Sequence, residues 1–194
     1  MANTNAASGL RPIRYLSGAP YSGAANKYCI PASDGTAVYI GGLVKPAGSA
    51  DADGIMTVTG NVSTGNAVVG VVVGFVPETA QSTIYREAST LRYVWVADDP
   101  NLIFAAQEDA VGGALAVTAV GNSADLISFT TGSTVTGRSS MQVDTSTATA
   151  SGDGTEDVLI VGFVQRVDNE VGVANAKVLV RLNNHFYIDG QAGA

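Results

Sequence analysis

The chain holds one histidine, His185, one cysteine, Cys29, and one tryptophan, Trp95; with the carboxylates, these are the residues that could do chemistry. A Ser-His-Asp or Cys-His arrangement would have to recruit His185, yet no GxSxG accompanies it and Cys29 lies far away in sequence. By parity within "AKVLVRLNNHFYI" (176–188), Val178, Val180, Leu182, Phe186 and Ile188 share one face. His185 falls with Lys177, Arg181 and Asn183 on the other, so an exposed strand histidine is expected rather than a catalytic base. Cys29, within "KYCIP", is expected as a buried small side chain.

The acidic residues cluster at Asp51/Asp53, Asp98/Asp99, Glu108/Asp109 and Asp153/Glu156/Asp157. "DADG" opens like a calcium loop, but Val62 stands where the bidentate Glu is required, so the EF-hand match fails. The stretch "SGDGTED" leaves a non-EF calcium site open, with solvated turns the expectation. No P-loop, GxGxxG or zinc spacing is present, so no catalytic residue, metal or cofactor is assigned. Trp95 shares a face with Leu91 and Tyr93, a pattern of core or subunit interface more than of a sugar platform.

The elements that would position these groups are strands. The chain of 194 residues is 46% hydrophobic and 14% charged, with 23 glycines and a valine-heavy apolar set, which selects an all-β class. β-branched and aromatic runs between turn formers predict strands over 36–44, 54–60, 67–76, 91–97, 102–108, 114–120, 125–131, 156–167 and 176–188. Residues 131–155, rich in Ser, Thr and Gly, read as a long exposed excursion with one edge strand near "SSMQV". The longest apolar run, 67–77, is about half of the roughly 20 residues a spanning helix needs, so no membrane is expected. The start shows no apolar leader segment.

Two strands repeat a pattern, "VVGFV" at 72–76 and "IVGFV" at 160–164. Strict alternation puts Val71, Val73 and Phe75 on one face and Gly70 and Gly74 on the other, with Phe163 and Gly162 divided likewise. Gly70, Gly74 and Gly162 are therefore expected to be notches that admit a neighbouring backbone or bulky side chain. Whether the two strands form a true internal repeat stays open.

Charge is distributed unevenly. The net charge of −7 disfavours a phosphate backbone, so no direct nucleic-acid partner is expected. Residues 1–33 carry Arg11, Arg14 and Lys27 with no acidic group, whereas 34–194 carry seven basic against 17 acidic groups, a +3 segment on a −10 body. Residues 1–33 are expected as an extended N-terminal arm and 34–194 as a single β-sandwich domain. Arg11 and Arg14 would pair with carboxylates of a partner or sister subunit, and Ile13, Tyr15 and Tyr21 would fill grooves, with Lys27 completing the contact set.

The segments "GLRPIRYLSGAPYSGAANKYCIPASDGTAVYIGGLV", "VVGVVVGFVPE", "YVWVADDPNLIFAAQED" and "VLIVGFVQRVDNEVGVANAKVLVRLNNHF" together resemble the capsid decoration (cement) proteins of tailed bacteriophages. The resemblance implies a jelly-roll-like antiparallel β-sandwich on the outer surface of the virion head. It would be a dimer or trimer whose partner is the major capsid protein. It implies a non-enzymatic structural role and transfers no binding residue. The alternatives are a carbohydrate-binding β-sandwich and another virion subunit, such as a tail or head-fibre component.

Overall fold

The computed structural model describes residues 3–148 and 155–188. Twelve strands and two short 3-10 turns make up its regular structure, and the all-β class holds. The first half contains β2 (Asn26–Ile30), β3 (Leu43–Ala50), β4 (Met56–Thr59), β5 (Gly70–Phe75) and β6 (Arg92–Ala97), closed into a five-stranded barrel of order β2-β4-β3-β5-β6. β1 (Arg11–Tyr15), β7 (Leu102–Gln107), β12 (Lys177–Leu182), β11 (Val158–Phe163) and β8 (Ser123–Ala124) form a five-stranded sheet in that order. β9 (Leu126–Ile127) pairs with β10 (Gln142–Val143) beside it. A closed barrel is not part of the jelly-roll expectation.

The two halves share one topology. In each, the first strand lies antiparallel to the last (β2 on β6, β7 on β12) and the last to the one before it (β6 on β5, β12 on β11). That strand in turn pairs antiparallel with the second (β5 on β3, β11 on β8). β3 passes from β5 at Leu43 and Val44 to β4 at Lys45 and Pro46. In the second half the same span is divided between β8, paired with β11, and β9, paired with β10. The first barrel closes by a parallel pairing of Cys29 with Thr57, and the second half by a parallel bridge of Glu108 with Val143.

The registers agree as well. Tyr28 opposite Val94 matches Ala106 opposite Val178, Val44 opposite Gly70 matches Ala124 opposite Val158, and Pro46 opposite Val58 matches Leu126 opposite Val143. The closing bridge falls in the same register too, because Ile30 and Val58, one residue beyond the Cys29–Thr57 pair, are the counterparts of Glu108 and Val143. The same strand topology and register therefore occur twice along one chain, closed into a barrel in the first half and left as a five-stranded sheet and a two-stranded ladder joined by a single bridge in the second.

The repeated "VGFV" sequence marks a repeated β-bulge. Val72 faces Val96 and Gly74 faces Trp95, leaving Val73 unpaired; Ile160 faces Val180 and Gly162 faces Leu179, leaving Val161 unpaired. One extra residue reverses the alternation beyond it. Phe75 accordingly packs on the same cluster as Val72, and Phe163 on the same cluster as Ile160. This corrects the strict odd-even division. The pairings match Val94, opposite Phe75, with Val178, opposite Phe163.

Each half has its own core. Tyr28, Ile30, Val44, Val58, Val72, Val94 and Val96 fill the first barrel. Six of their seven counterparts, Ala106, Ala124, Val143, Ile160, Val178 and Val180, lie in the second cluster. The seventh, opposite number of Ile30, is the buried Glu108. Its carboxylate accepts from Ala110 N–H (2.7 Å), Ala176 N–H (3.1 Å) and the Thr145 hydroxyl (2.6 Å), so the charge is tied to local backbone. Leu43, Val71 and Ala97 on the outside of the first barrel join the second cluster and weld the halves together.

Several other expectations change. The segment expected as an extended N-terminal arm supplies β1, paired with β7, and β2, inside the first barrel. The strand expected at 36–44 begins only after a turn at Gly41-Gly42, where Gly41 has φ +86° and Gly42 N–H donates to Tyr39 carbonyl. Residues 117–119 form a 3-10 turn that buries Leu115 and Ala119, four apart, and exposes Val117 and Val120. In the expected exposed excursion, Met141 and Val143 are buried in the second core; its residues 149–154 lie outside the described residues.

Candidate functional site

β12 ends at Leu182, so parity no longer governs His185, which is buried at 1% exposure instead of solvated. Its Nδ1 accepts from Tyr187 N–H (3.2 Å) and its Nε2 has no protein partner. Burial pulls its pKa below the ordinary histidine value. Nearby, the Tyr28 hydroxyl donates to Asp98 (2.6 Å) and lies 2.8 Å from the Tyr187 hydroxyl. Burial, then the Asp98 hydrogen bond, pushes the Tyr28 pKa far up. Cys29 is also buried, which raises its thiol pKa and leaves it a poor nucleophile.

The other buried charges hold loops. Arg86, 0% exposed, donates to the carbonyls of Thr36, Pro31 (2.8 Å), Asp34 (2.8 Å) and Thr90 (2.8 Å), stitching the 31–36 loop to the 86–90 turn. Asp157 accepts from Gly65 N–H (2.9 Å) and Leu126 N–H (2.9 Å), and burial raises its pKa. Asp51, in the "DADG" stretch, accepts from Asp53 and Ile55 N–H at the β3–β4 turn. Among the described residues no group of three or more metal-ligating side chains is gathered.

Of the expected contact residues, Arg11, Ile13 and Tyr21 line a band of three shallow grooves that share residues, whereas Tyr15 lines a further groove of about 500 Å³ with Leu16, Ser17, Asp99 and Asn101. The first of the three, about 570 Å³, is lined by Tyr21, Gly23, Ala25, Val73, Gly74 and Trp95. The second, about 290 Å³, shares Tyr21 and Val73 with it and adds Leu10, Arg11 and Arg138. The third, about 280 Å³, shares Arg11 and is completed by Ile13, Gln107, Arg166, Lys177 and Leu179. No Asp or Glu lines any of the three.

Local structure fixes this band. Tyr15 N–H donates to Ala19 carbonyl (2.8 Å) and Tyr21 N–H to Ile13 carbonyl (3.1 Å), folding residues 13–21 into a tight hairpin with Gly18 at φ +90°. This brings the Tyr15 and Tyr21 rings to 6.5 Å and puts both against the second core. The Tyr21 hydroxyl donates to Ala24 carbonyl (2.9 Å), and burial raises its pKa. Arg14 bridges Pro20 in the hairpin and lines none of the three grooves. Lys27 stands apart, its Nζ 4.1 Å above the Tyr93 ring. The Tyr93 hydroxyl donates to Asp51 (2.9 Å), which pushes its pKa up to about 12.

Sequence reasoning weighed Trp95, which is 41% exposed, as core or subunit interface, and did not include the cations Arg166 and Lys177 in the contact set. Arg166 also pairs with Asp168 at 2.9 Å on the surface. The glycines divide three ways. At Gly70 an added methyl would collide with the Ala97 carbonyl, so the close approach expected there exists. At Gly74 it would meet Trp95 Cδ1 at 3.8 Å, an ordinary contact, and at Gly162 nothing within 4 Å. The last two glycines accompany the bulges rather than admit a neighbour. No protein-family model, curated protein or solved structure matches this chain.

Proposed function

We propose that this chain is a non-enzymatic structural virion protein that binds the outer surface of a phage head and cements neighbouring major capsid subunits. The observation that supports the reading best is the band itself. On a chain of net charge −7, four cations (Arg11, Arg138, Arg166 and Lys177) and the aromatic pair Tyr21 and Trp95 line grooves free of carboxylates. Such a surface suits a protein partner, because Trp, Tyr and Arg supply most of the energy at protein interfaces. The jelly-roll order implied by the resemblance is not needed for this reading. Self-association as a dimer or trimer belongs to the proposal and is read by sedimentation equilibrium.

Co-sedimentation with heads assembled without this chain tests the reading: saturable binding to the shell supports it, and no binding refutes it. One observation favours a second reading. Trp95 and Tyr21 lie open in one groove, an arrangement that also suits stacking on a sugar ring. As Trp95 is the single tryptophan, its fluorescence during titration with a glycan panel, with and without chelator, reads that alternative directly. Gold labelling of virions distinguishes the head from a tail or head-fibre location.

A further inference from the structure

We infer that residues 183–188 form a latch that seals one end of the first barrel, and that protonation of His185 releases it. By chain order the segment belongs to the second half, yet it is seated on the first. β12 ends at Leu182, and His185 then makes a parallel bridge with Val68, just before β5. Val68 N–H donates to the Asn184 carbonyl (2.8 Å) and Phe186 N–H to the Val68 carbonyl (2.8 Å). Phe186 packs on the first core. The Tyr187 hydroxyl lies 2.8 Å from that of Tyr28 and donates to Met56 Sδ (3.7 Å). The side-chain amides of Asn183 and Asn184 donate to the carbonyls of Glu156 (3.2 Å) and Thr155 (3.1 Å), next to β11. One short segment therefore couples the two halves.

The ring of His185 is the group whose charge decides whether the latch holds. It is 1% exposed, and its Nδ1 accepts from Tyr187 N–H (3.2 Å), which fixes the neutral tautomer with its proton on Nε2. A second proton goes to Nδ1, where it meets the Tyr187 N–H head on. An acceptor becomes a donor, the hydrogen bond is lost, and a charge is left in a buried site. Nε2 has no protein partner to compensate. The surrounding charges do not cancel the cost: burial disfavours the cation most, Arg181 on β12 adds to that, and Asp98 and Asp99 after β6 oppose it. Tyr187 flanks the ring at 5.9 Å between centroids, and Tyr28 donates to Asp98 (2.6 Å). Glu156 and Asp157 meet the latch at Asn183 through their backbone carbonyls. Once released, the imidazole is hydrated and titrates near 6.5. The latch is thus closed above about pH 6.5, and below it the opening constant rises by up to about tenfold per pH unit until the folded pKa is passed. The barrel ladder itself loses no hydrogen bond, so the latch opens before the chain unfolds.

The latch needs no partner, and its test is independent of the cementing reading. Amide hydrogen exchange of the full-length chain is followed from pH 7.5 to 4.5 and corrected for the intrinsic exchange rate. Protection of the Phe186 and Val68 amides should fall by up to about tenfold per pH unit below about 6.5, while amides of β6 and β12 keep theirs. His185→Gln, which stays neutral, should give a flat profile. Arg181→Gln should move the transition to higher pH and Asp99→Asn to lower pH, and this pair carries the test if His185→Gln fails to fold. The inference is overturned if Phe186 loses protection only together with β6 and β12, if its protection does not change with pH, or if the Arg181 and Asp99 variants leave the transition in place.

Discussion

Gly70 and Gly162 stand at corresponding ends of the sequence expectation, both read as notches, and the structure assigns them opposite behaviour. A methyl at Gly70 would strike the Ala97 carbonyl oxygen and approach the Asp98 Cα to 2.9 Å and the Ala97 carbonyl carbon to 3.0 Å. All three atoms are backbone, so no side chain can swing aside and β5 must separate from β6. Overpacking of this kind costs about 1 to 3 kcal/mol. At Gly162 the methyl meets nothing within 4 Å, and the residue is not in the left-handed region. Alanine there narrows the unfolded ensemble and stabilises by about 0.4 to 1 kcal/mol. The two variants, Gly70→Ala and Gly162→Ala, should therefore differ by about 1.4 to 4 kcal/mol. For a chain of this length that separates their melting temperatures by about 3 to 16 °C. Urea unfolding followed by circular dichroism and by Trp95 fluorescence measures the difference. If Gly162→Ala proves as destabilising as Gly70→Ala, the distinction between a backbone contact and a bulge position is wrong.

Two further outcomes follow from the buried charges. Arg86→Met removes the donor for four carbonyls that have lost their water, and a loss of about 3 to 5 kcal/mol is expected in urea unfolding, with the 31–36 loop becoming protease-sensitive. If the variant unfolds like wild type, the guanidinium does not hold that loop. For His185, burial keeps the folded pKa below the unfolded value near 6.5, so the unfolded chain binds the proton first. Asp98 and Asp99 partly oppose that depression and Arg181 reinforces it. The resulting stability is complete above about pH 6.5 and is lost as the pH falls through the folded pKa. The melting temperature of wild type should fall between pH 7 and pH 5 relative to His185→Gln; parallel profiles would show that His185 does not titrate with unfolding.

What sequence could reveal follows from what a bulge conceals. Valine-rich runs between turn formers placed β4 to β7, β11 and β12 within a few residues, because each is a half-buried or buried strand with a strong β composition. The matching "VGFV" stretches pointed to equivalent places, and their pairing establishes that equivalence. Strict period two nevertheless put Phe75 on the wrong side, since one unpaired valine reverses the alternation and no residue type announces it unambiguously. Trp95 escaped for a different reason: parity grouped it correctly with Leu91 and Tyr93, read as core or subunit interface, but the buried face of β6 is the one carrying Val94 and Val96. His185 was misplaced for a related reason: the strand pattern was carried past Leu182, where Asn183 and Asn184 turn the chain inward. The basic character of residues 11–27 was legible from charge alone. Its seat on the rest of the chain was not, because Arg166 reaches the groove from the β11–β12 loop and Lys177 from β12, more than a hundred residues away.

The central claim, that the basic and aromatic band is the face turned toward a capsid, is tested most directly by cryo-electron microscopy of heads decorated with this chain. The account predicts density on the outer shell with the band lined by Tyr21, Trp95, Arg11 and Lys177 against the capsid surface. Density that leaves the band facing solvent, or that places the chain on the tail or a fibre, would contradict it.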